Sequence, residues 1–81
     1  MAATVTLSVF PNPASNEINI SCECKIRNVE IWDYLGKKVL EDRRNTNESM
    51  KNIDIQGLPS GAYILIVYTV SGQSVKKITI I

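Results

Sequence analysis

The stretch Tyr63-Ile64-Leu65-Ile66-Val67-Tyr68-Thr69-Val70, followed by Ser71-Gly72, decides the fold class. Eight residues carry a single non-apolar side chain, Thr69, and five of them are β-branched. Such a run is too short for a buried helix and fits a pleated strand, where branched side chains pack well. Its unbroken apolar character predicts a central strand covered on both faces. Ser71-Gly72 then predicts a hairpin, and the chain closes on a last strand carrying Ile78 and Ile80.

Outward from this strand the same pattern repeats. Val5, Leu7 and Val9 alternate with Thr4, Thr6 and Ser8, and Ile18 and Ile20 alternate with Glu17, Asn19 and Ser21. Val29 and Ile31 form a third run, Val39 a short fourth one ending near Arg43, and Ile53 and Ile55 flank Asp54 in a fifth. Val, Ile and Thr total 23 residues against nine Ala and Leu, which favours sheet over helix throughout. Between the runs stand a doubled proline turn at Pro11-Asn12-Pro13-Ala14, Gly36, a polar loop from Arg43 to Ser49, and the corner Gln56-Gly57-Leu58-Pro59-Ser60-Gly61. Seven short strands with turns every 8–12 residues predict a seven-stranded antiparallel sandwich of immunoglobulin-like type. The Cys–Trp–Cys spacing of antibody domains is missing, so only the architecture is implied.

Size and composition narrow the function. At 81 residues the chain is one domain, and domains near this size bury only about 60–65% of their unfolded surface. A deep catalytic cleft is not expected. There is no histidine, so the commonest general base and transition-metal ligand are both missing. The seven serines have no partner arranged as a base, Glu41, Asp42 and Asp54 form no acid–base pair, and there is no glycine-rich phosphate loop. Neither an enzyme nor a cofactor is predicted. The net charge of +1 argues against nucleic acid as a partner. No apolar run approaches the ~20 residues of a membrane-spanning helix. Met1-Ala2-Ala3 lacks the basic and apolar regions of a signal peptide.

Three further features have a structural and a functional reading. Cys22 and Cys24 continue the inward phase of Ile18 and Ile20, as two small buried hydrophobes would. With Cα atoms roughly 6.5–7 Å apart they sit at or beyond disulfide reach, and no other metal ligand is suitably spaced. Lys25 and Arg27 leave a reactive thiol open. Trp32 and Tyr34 share a face and could form a sugar-binding platform, or simply cover the sheet. Asn19-Ile20-Ser21 and Asn47-Glu48-Ser49 match the glycosylation acceptor, a pattern that arises often in polar chains.

Taken together, three stretches resemble the type A C-terminal sorting domains of type IX secretion. Val9-Phe10-Pro11-Asn12-Pro13-Ala14-Ser15-Asn16, leading into Glu17-Ile18-Asn19-Ile20, is similar to that family's opening aromatic-PNP turn and hairpin. Val29-Glu30-Ile31-Trp32-Asp33-Tyr34-Leu35-Gly36-Lys37-Lys38-Val39 resembles its central strand, with Trp32 where tyrosine or phenylalanine is usual. Ile53-Asp54-Ile55-Gln56-Gly57-Leu58-Pro59-Ser60-Gly61-Ala62-Tyr63-Ile64-Leu65-Ile66 resembles its third motif, and Val75 to Ile81 its basic-then-apolar last strand. Cys22-Glu23-Cys24 is not part of the pattern, and the tail stops in Ile80-Ile81.

The resemblance implies a non-catalytic domain spanning residues 4–81. Such a domain is a secretion signal on a larger cargo protein of Gram-negative bacteria of the Bacteroidetes group. The cargo crosses the periplasm and is passed through the outer-membrane translocon. A sortase-like cysteine peptidase then usually removes the domain, by a cut that falls before or near Thr4, and attaches the cargo to the cell surface. Recognition is expected at Pro11, Asn12 and Pro13, at Gly61 and Tyr63, and at Lys76, Lys77, Ile78 and Ile80, with the last strand gripped through edge pairing. An apolar terminal strand can also pair with a second copy of the chain. The alternatives from other classes are a carbohydrate-binding module using Trp32 and Tyr34, and a spacer of a surface protein.

Overall fold

The computed structural model describes residues 7–43 and 49–81, so Thr4 to Thr6 and the acceptor pattern beginning at Asn47 lie outside the described residues. Seven strands follow in order: β1 Leu7–Phe10, β2 Glu17–Cys22, β3 Ile26–Asp33, β4 Lys38–Asp42, β5 Met50–Asp54, β6 Gly61–Thr69 and β7 Gly72–Ile80. They form a three-stranded sheet, β1-β2-β5, and a four-stranded sheet, β4-β3-β6-β7, with every strand pair antiparallel. The seven-stranded sandwich predicted by the alternation is present.

Its layers follow from that alternation. Ile18, Ile20 and Cys22 of β2, Val29 and Ile31 of β3, and Leu65 and Val67 of β6 all turn inward and are buried. Ile53, Ile55, Ile78 and Ile80 complete the core from β5, its exit and β7. This core is almost wholly aliphatic, with Tyr63 its one aromatic member.

Two details differ from expectation. The β6 run is covered on one face only. Tyr63, Leu65, Val67 and Thr69 are buried, whereas Ile64, Ile66 and Tyr68 are half-buried on the outer face. A two-sheet sandwich has one inner layer, so a central strand is screened on its other side only by flanking strands. The register sets Trp32 and Lys77 beside Ile64, and Glu30 and Val75 beside Ile66. Cys24 also leaves the inward phase, because β2 ends at Cys22 and the chain turns there. It is half-buried.

β4 pairs with β3, whereas the constant-type immunoglobulin arrangement places the fourth strand in the first sheet. The turn between them explains why. Asp33 Oδ1 accepts the amides of Leu35 and Lys37, both at 2.9 Å, and Gly36 adopts φ +84°. That left-handed position suits glycine and folds the chain straight back as a hairpin.

The edges pair off by side. β4 and β5 are brought together by the buried Lys51, whose Nζ lies 3.2 Å from Asp42 Oδ1. On the opposite side, the β1–β2 connection reaches across to β7.

Candidate functional site

Pro11-Asn12-Pro13-Ala14 leaves its own sheet and lies along the outer edge of β7. Its two prolines can donate no backbone hydrogen bond, so the segment cannot enter a regular ladder on both sides. What remains are the polar groups of Asn12 and Ala14, and both are used. Asn12 Nδ2 donates to Lys77 O (3.3 Å), and Asn12 Oδ1 accepts from Thr79 N (3.1 Å). Ala14 N donates to Thr79 O and Ala14 O accepts from Ile81 N, both at 2.8 Å, giving a parallel bridge to Ile80. Ala14 is 1% exposed, so the methyl group enters the core while the asparagine clips the strand from outside. Both X–Pro bonds of the segment are cis.

This contact gathers the residues singled out above. Gly61 pairs with Ile80 and Tyr63 with Ile78, so the start of β6 backs the end of β7. Ile78 and Ile80 are buried, and the Tyr63 hydroxyl donates to Pro59 O at 2.6 Å, locking the corner that leads into β6. Lys76 and Lys77 are both exposed, on opposite faces of the strand. Lys77 lies on the outer face with Nζ 5.7 Å from the Tyr34 ring centre, a cation–π contact. Pro11, Asn12, Pro13, Gly61, Tyr63, Lys76, Lys77, Ile78 and Ile80 thus belong to one end and one edge of the sandwich. Within this group the exposed side chains are those of Pro11, Asn12, Pro13, Lys76 and Lys77, whereas Tyr63, Ile78 and Ile80 act from the core.

Sequence reasoning placed Ala14 in the proline turn but missed its contact with β7, and it missed Thr79 altogether. Ala14 was legible as a small apolar residue closing a polar, proline-rich stretch. Thr79 had no signal, because its part is played by main-chain groups that every residue carries.

The outer face of the four-stranded sheet is different in character. A shallow hollow of about 410 Å³ is lined by Trp32, Asp33, Tyr34, Gly36, Ile64 and Ile66. The two aromatic residues therefore do share a surface, but each ring carries a lysine ammonium, Lys38 at 6.0 Å from Trp32 and Lys77 on Tyr34. Beside the hollow, Glu30 accepts the Trp32 indole N–H and the Tyr68 hydroxyl, each at 3.1 Å, and Lys38 lies between Glu30 and Glu41. The Arg43 guanidinium, 2.9 Å from Glu41, and then Lys38 hold the Glu41 carboxyl down at a pKa of about 2. The carboxylate of Glu30 pushes the Tyr68 phenol up. These are charges and hydroxyls satisfied by one another, the pattern of a structural network.

Burial pushes the Cys22 thiol up, away from the thiolate form that attacks or binds metal. Cys22 Sγ accepts the Cys24 amide, and Cys24 Sγ contacts Ser71 Oγ at 3.1 Å, tying the β2–β3 turn to the β6–β7 hairpin. Among the described residues, no group of three or more His, Cys, Asp or Glu side chains is placed to hold a metal ion.

With this geometry in place, comparison with known proteins is decisive. A family model described as "Secretion system C-terminal sorting domain" matches residues 8–81. The chain belongs to that family. The match covers both halves of the junction, from the Pro11 turn to β7, and the sorting domain is a secretion signal of type IX cargo proteins. A curated relative, Beta-agarase D of Zobellia galactanivorans, is 32% identical over 78 residues. The alignment covers 91% of this chain and 14% of that relative, so the sorting domain spans a small part of the relative's length.

Proposed function

We propose that the junction of the Pro11–Ala14 segment with β7 is the surface through which the type IX translocon recognises this sorting domain. The observation that carries the reading is the convergence of the nine residues above on one edge, although 65 positions separate Asn12 from Lys77. Turn, β6 start and last strand then act as one epitope. The domain itself performs no chemistry. Its cargo crosses the periplasm, is handed to the outer-membrane translocon, and is freed at the surface by a sortase-like cysteine peptidase that cuts ahead of the sandwich.

A signal-peptide-bearing fluorescent carrier followed by residues 4–81, produced in a host competent for type IX secretion, tests this. The carrier is expected on the surface or in the medium and is lost there in a translocon mutant. Retention in the periplasm of a fusion shown to be folded would overturn the functional reading. Deleting Lys76 to Ile81 is a poor test of the site, since it removes the buried Ile78 and Ile80. Lys76→Glu with Lys77→Glu keeps the core and reverses the exposed charge. Undiminished export of that double variant would remove the two lysines from the epitope.

A further inference from the structure

The outer edge of β7 is divided into a sealed part and an open part. In an antiparallel ladder the main-chain groups of alternate residues face alternate sides. Thr79 turns its N–H and C=O away from β6, toward Asn12 and Ala14, and Lys77 O and Ile81 N face the same way. Gln73 and Val75 therefore present their N–H and C=O to this side too. Among the described residues, no hydrogen bond reaches these groups. The side chains there are open as well: Gln73, Val75, Lys76 and Lys77 are all exposed, Val75 by 57%. Neither lysine forms an ion pair among the described residues.

We propose that the open stretch Gln73–Lys77 accepts a short, acidic, extended segment of a partner protein as an added strand. The main chain of that segment hydrogen-bonds to Gln73, Val75 and the Lys77 amide. Residues directly opposite in a strand pair stand about 4.5–5.5 Å apart. The segment thus carries an apolar residue opposite Val75 and two consecutive carboxylates opposite Lys76 and Lys77. One carboxylate falls on each face, because the two lysines do. Asn12 and Ala14 already occupy the edge from Lys77 O onward, so the added strand ends there. A second copy is a poor occupant, since pairing two such edges sets four lysines near one another.

The proposal takes from the reading above only that β7 is the recognised strand, and its test is separate from export. The probes are two blocked octapeptides centred on Val-Glu-Glu and Glu-Glu-Val, one for each strand direction, titrated into the 15N-labelled domain. Saturating peptide is expected to shift the Gln73, Val75 and Lys77 amides and to slow their hydrogen exchange by about tenfold. A peptide N-methylated on its bonding edge, and one with Lys-Lys in place of Glu-Glu, should do neither. Val75→Pro removes an outward-facing donor together with the valine side chain, at a position where an edge strand tolerates proline, and should abolish the effect.

Three results overturn the proposal. One is the absence of any shift at millimolar peptide, and another is a shift centred on the hollow around Trp32 and Ile64. The third is concentration-dependent shifts of the same amides without peptide, which would make the occupant a second copy. Peptide binding with failed export would leave this surface standing and sink the translocon reading; export without peptide binding would do the reverse.

Discussion

Removing the Asn12 side chain is the perturbation whose consequence follows most directly from the geometry. Asn12→Ala deletes two hydrogen bonds, one donated to Lys77 O at 3.3 Å and one accepted from Thr79 N at 3.1 Å. An intramolecular hydrogen bond contributes a net ~0.5–1.5 kcal/mol. Both of these are exposed and one is long, so the low end applies and the sum is ~1 kcal/mol. For a domain of this size that corresponds to a fall in Tm of about 4–8 °C. The same ~1 kcal/mol is about a fivefold change in an opening equilibrium, read by amide exchange. Thr79, whose amide has lost its acceptor, should exchange at least that much faster. Ile81, whose acceptor is Ala14 O, should follow if the whole segment loosens. Asn12→Asp keeps the acceptor for Thr79 but sets an oxygen against Lys77 O, so Thr79 stays protected while Tm still falls. Circular dichroism melts and exchange measured by NMR give both readouts on one sample. An unchanged Tm together with Thr79 exchange equal to wild type would refute the idea that this segment clips the strand.

Further perturbations test other parts of the sandwich. Ile31→Ala opens a cavity at a fully buried position of β3 and should cost about 2–5 kcal/mol. That is a large share of the ~4–12 kcal/mol expected for this chain length, and urea denaturation should show a sharply lowered midpoint. Tyr63→Phe removes the 2.6 Å bond to Pro59 O and should cost about 1 kcal/mol by the same assay. The Glu41 carboxyl is depressed from 4.5 to about 2 in the folded state. Its contribution is therefore present above pH 4.5 and lost as pH falls from there toward 2. Tm measured across that range should drop in the wild type and drop less in Glu41→Gln.

Most of the sandwich was legible because its strands obey a period of two with few exceptions. Ile18-Asn19-Ile20 and Ile53-Asp54-Ile55 each name an inner and an outer face without ambiguity. The β6 run does not: an unbroken apolar stretch cannot say whether its second face meets a layer or only its neighbours. Lys51 is the opposite case. It stands in phase with Ile53 and Ile55 and is buried, a position its charge argues against until Asp42 arrives from the opposite sheet. Residue type and periodicity conflicted there, and a contact between two edge strands resolved it. The crossing of Pro11–Ala14 to β7 was half legible. Two prolines announce a segment barred from a regular ladder, but which edge it meets depends on the closure of the whole chain. Asn12 carries no local sign that its partners lie at Lys77 and Thr79.

The make-up of the junction also bears on what a recognising protein would sense. Its exposed members, Pro11, Asn12, Pro13, Lys76 and Lys77, are few and chemically ordinary. Their arrangement depends on buried ones: Ile78 and Ile80 hold β7 to the core, Tyr63 and Gly61 back them, and Ala14 seats the crossing segment. None of these contacts is local in sequence, so the arrangement exists only after both sheets have closed. An unfolded chain offers the same residues with no fixed spacing between the Pro11 turn and the lysines. A partner that requires both must therefore distinguish folded from unfolded chains without any separate check. Ile78→Ala probes this, since it leaves every exposed residue in place and weakens only the core beneath them. Export of a carrier bearing that variant should fall in step with its folded fraction, measured by protease resistance of the sorting domain. Export that stays at the wild-type level while the domain is largely unfolded would mean that the residues are read as a linear signal.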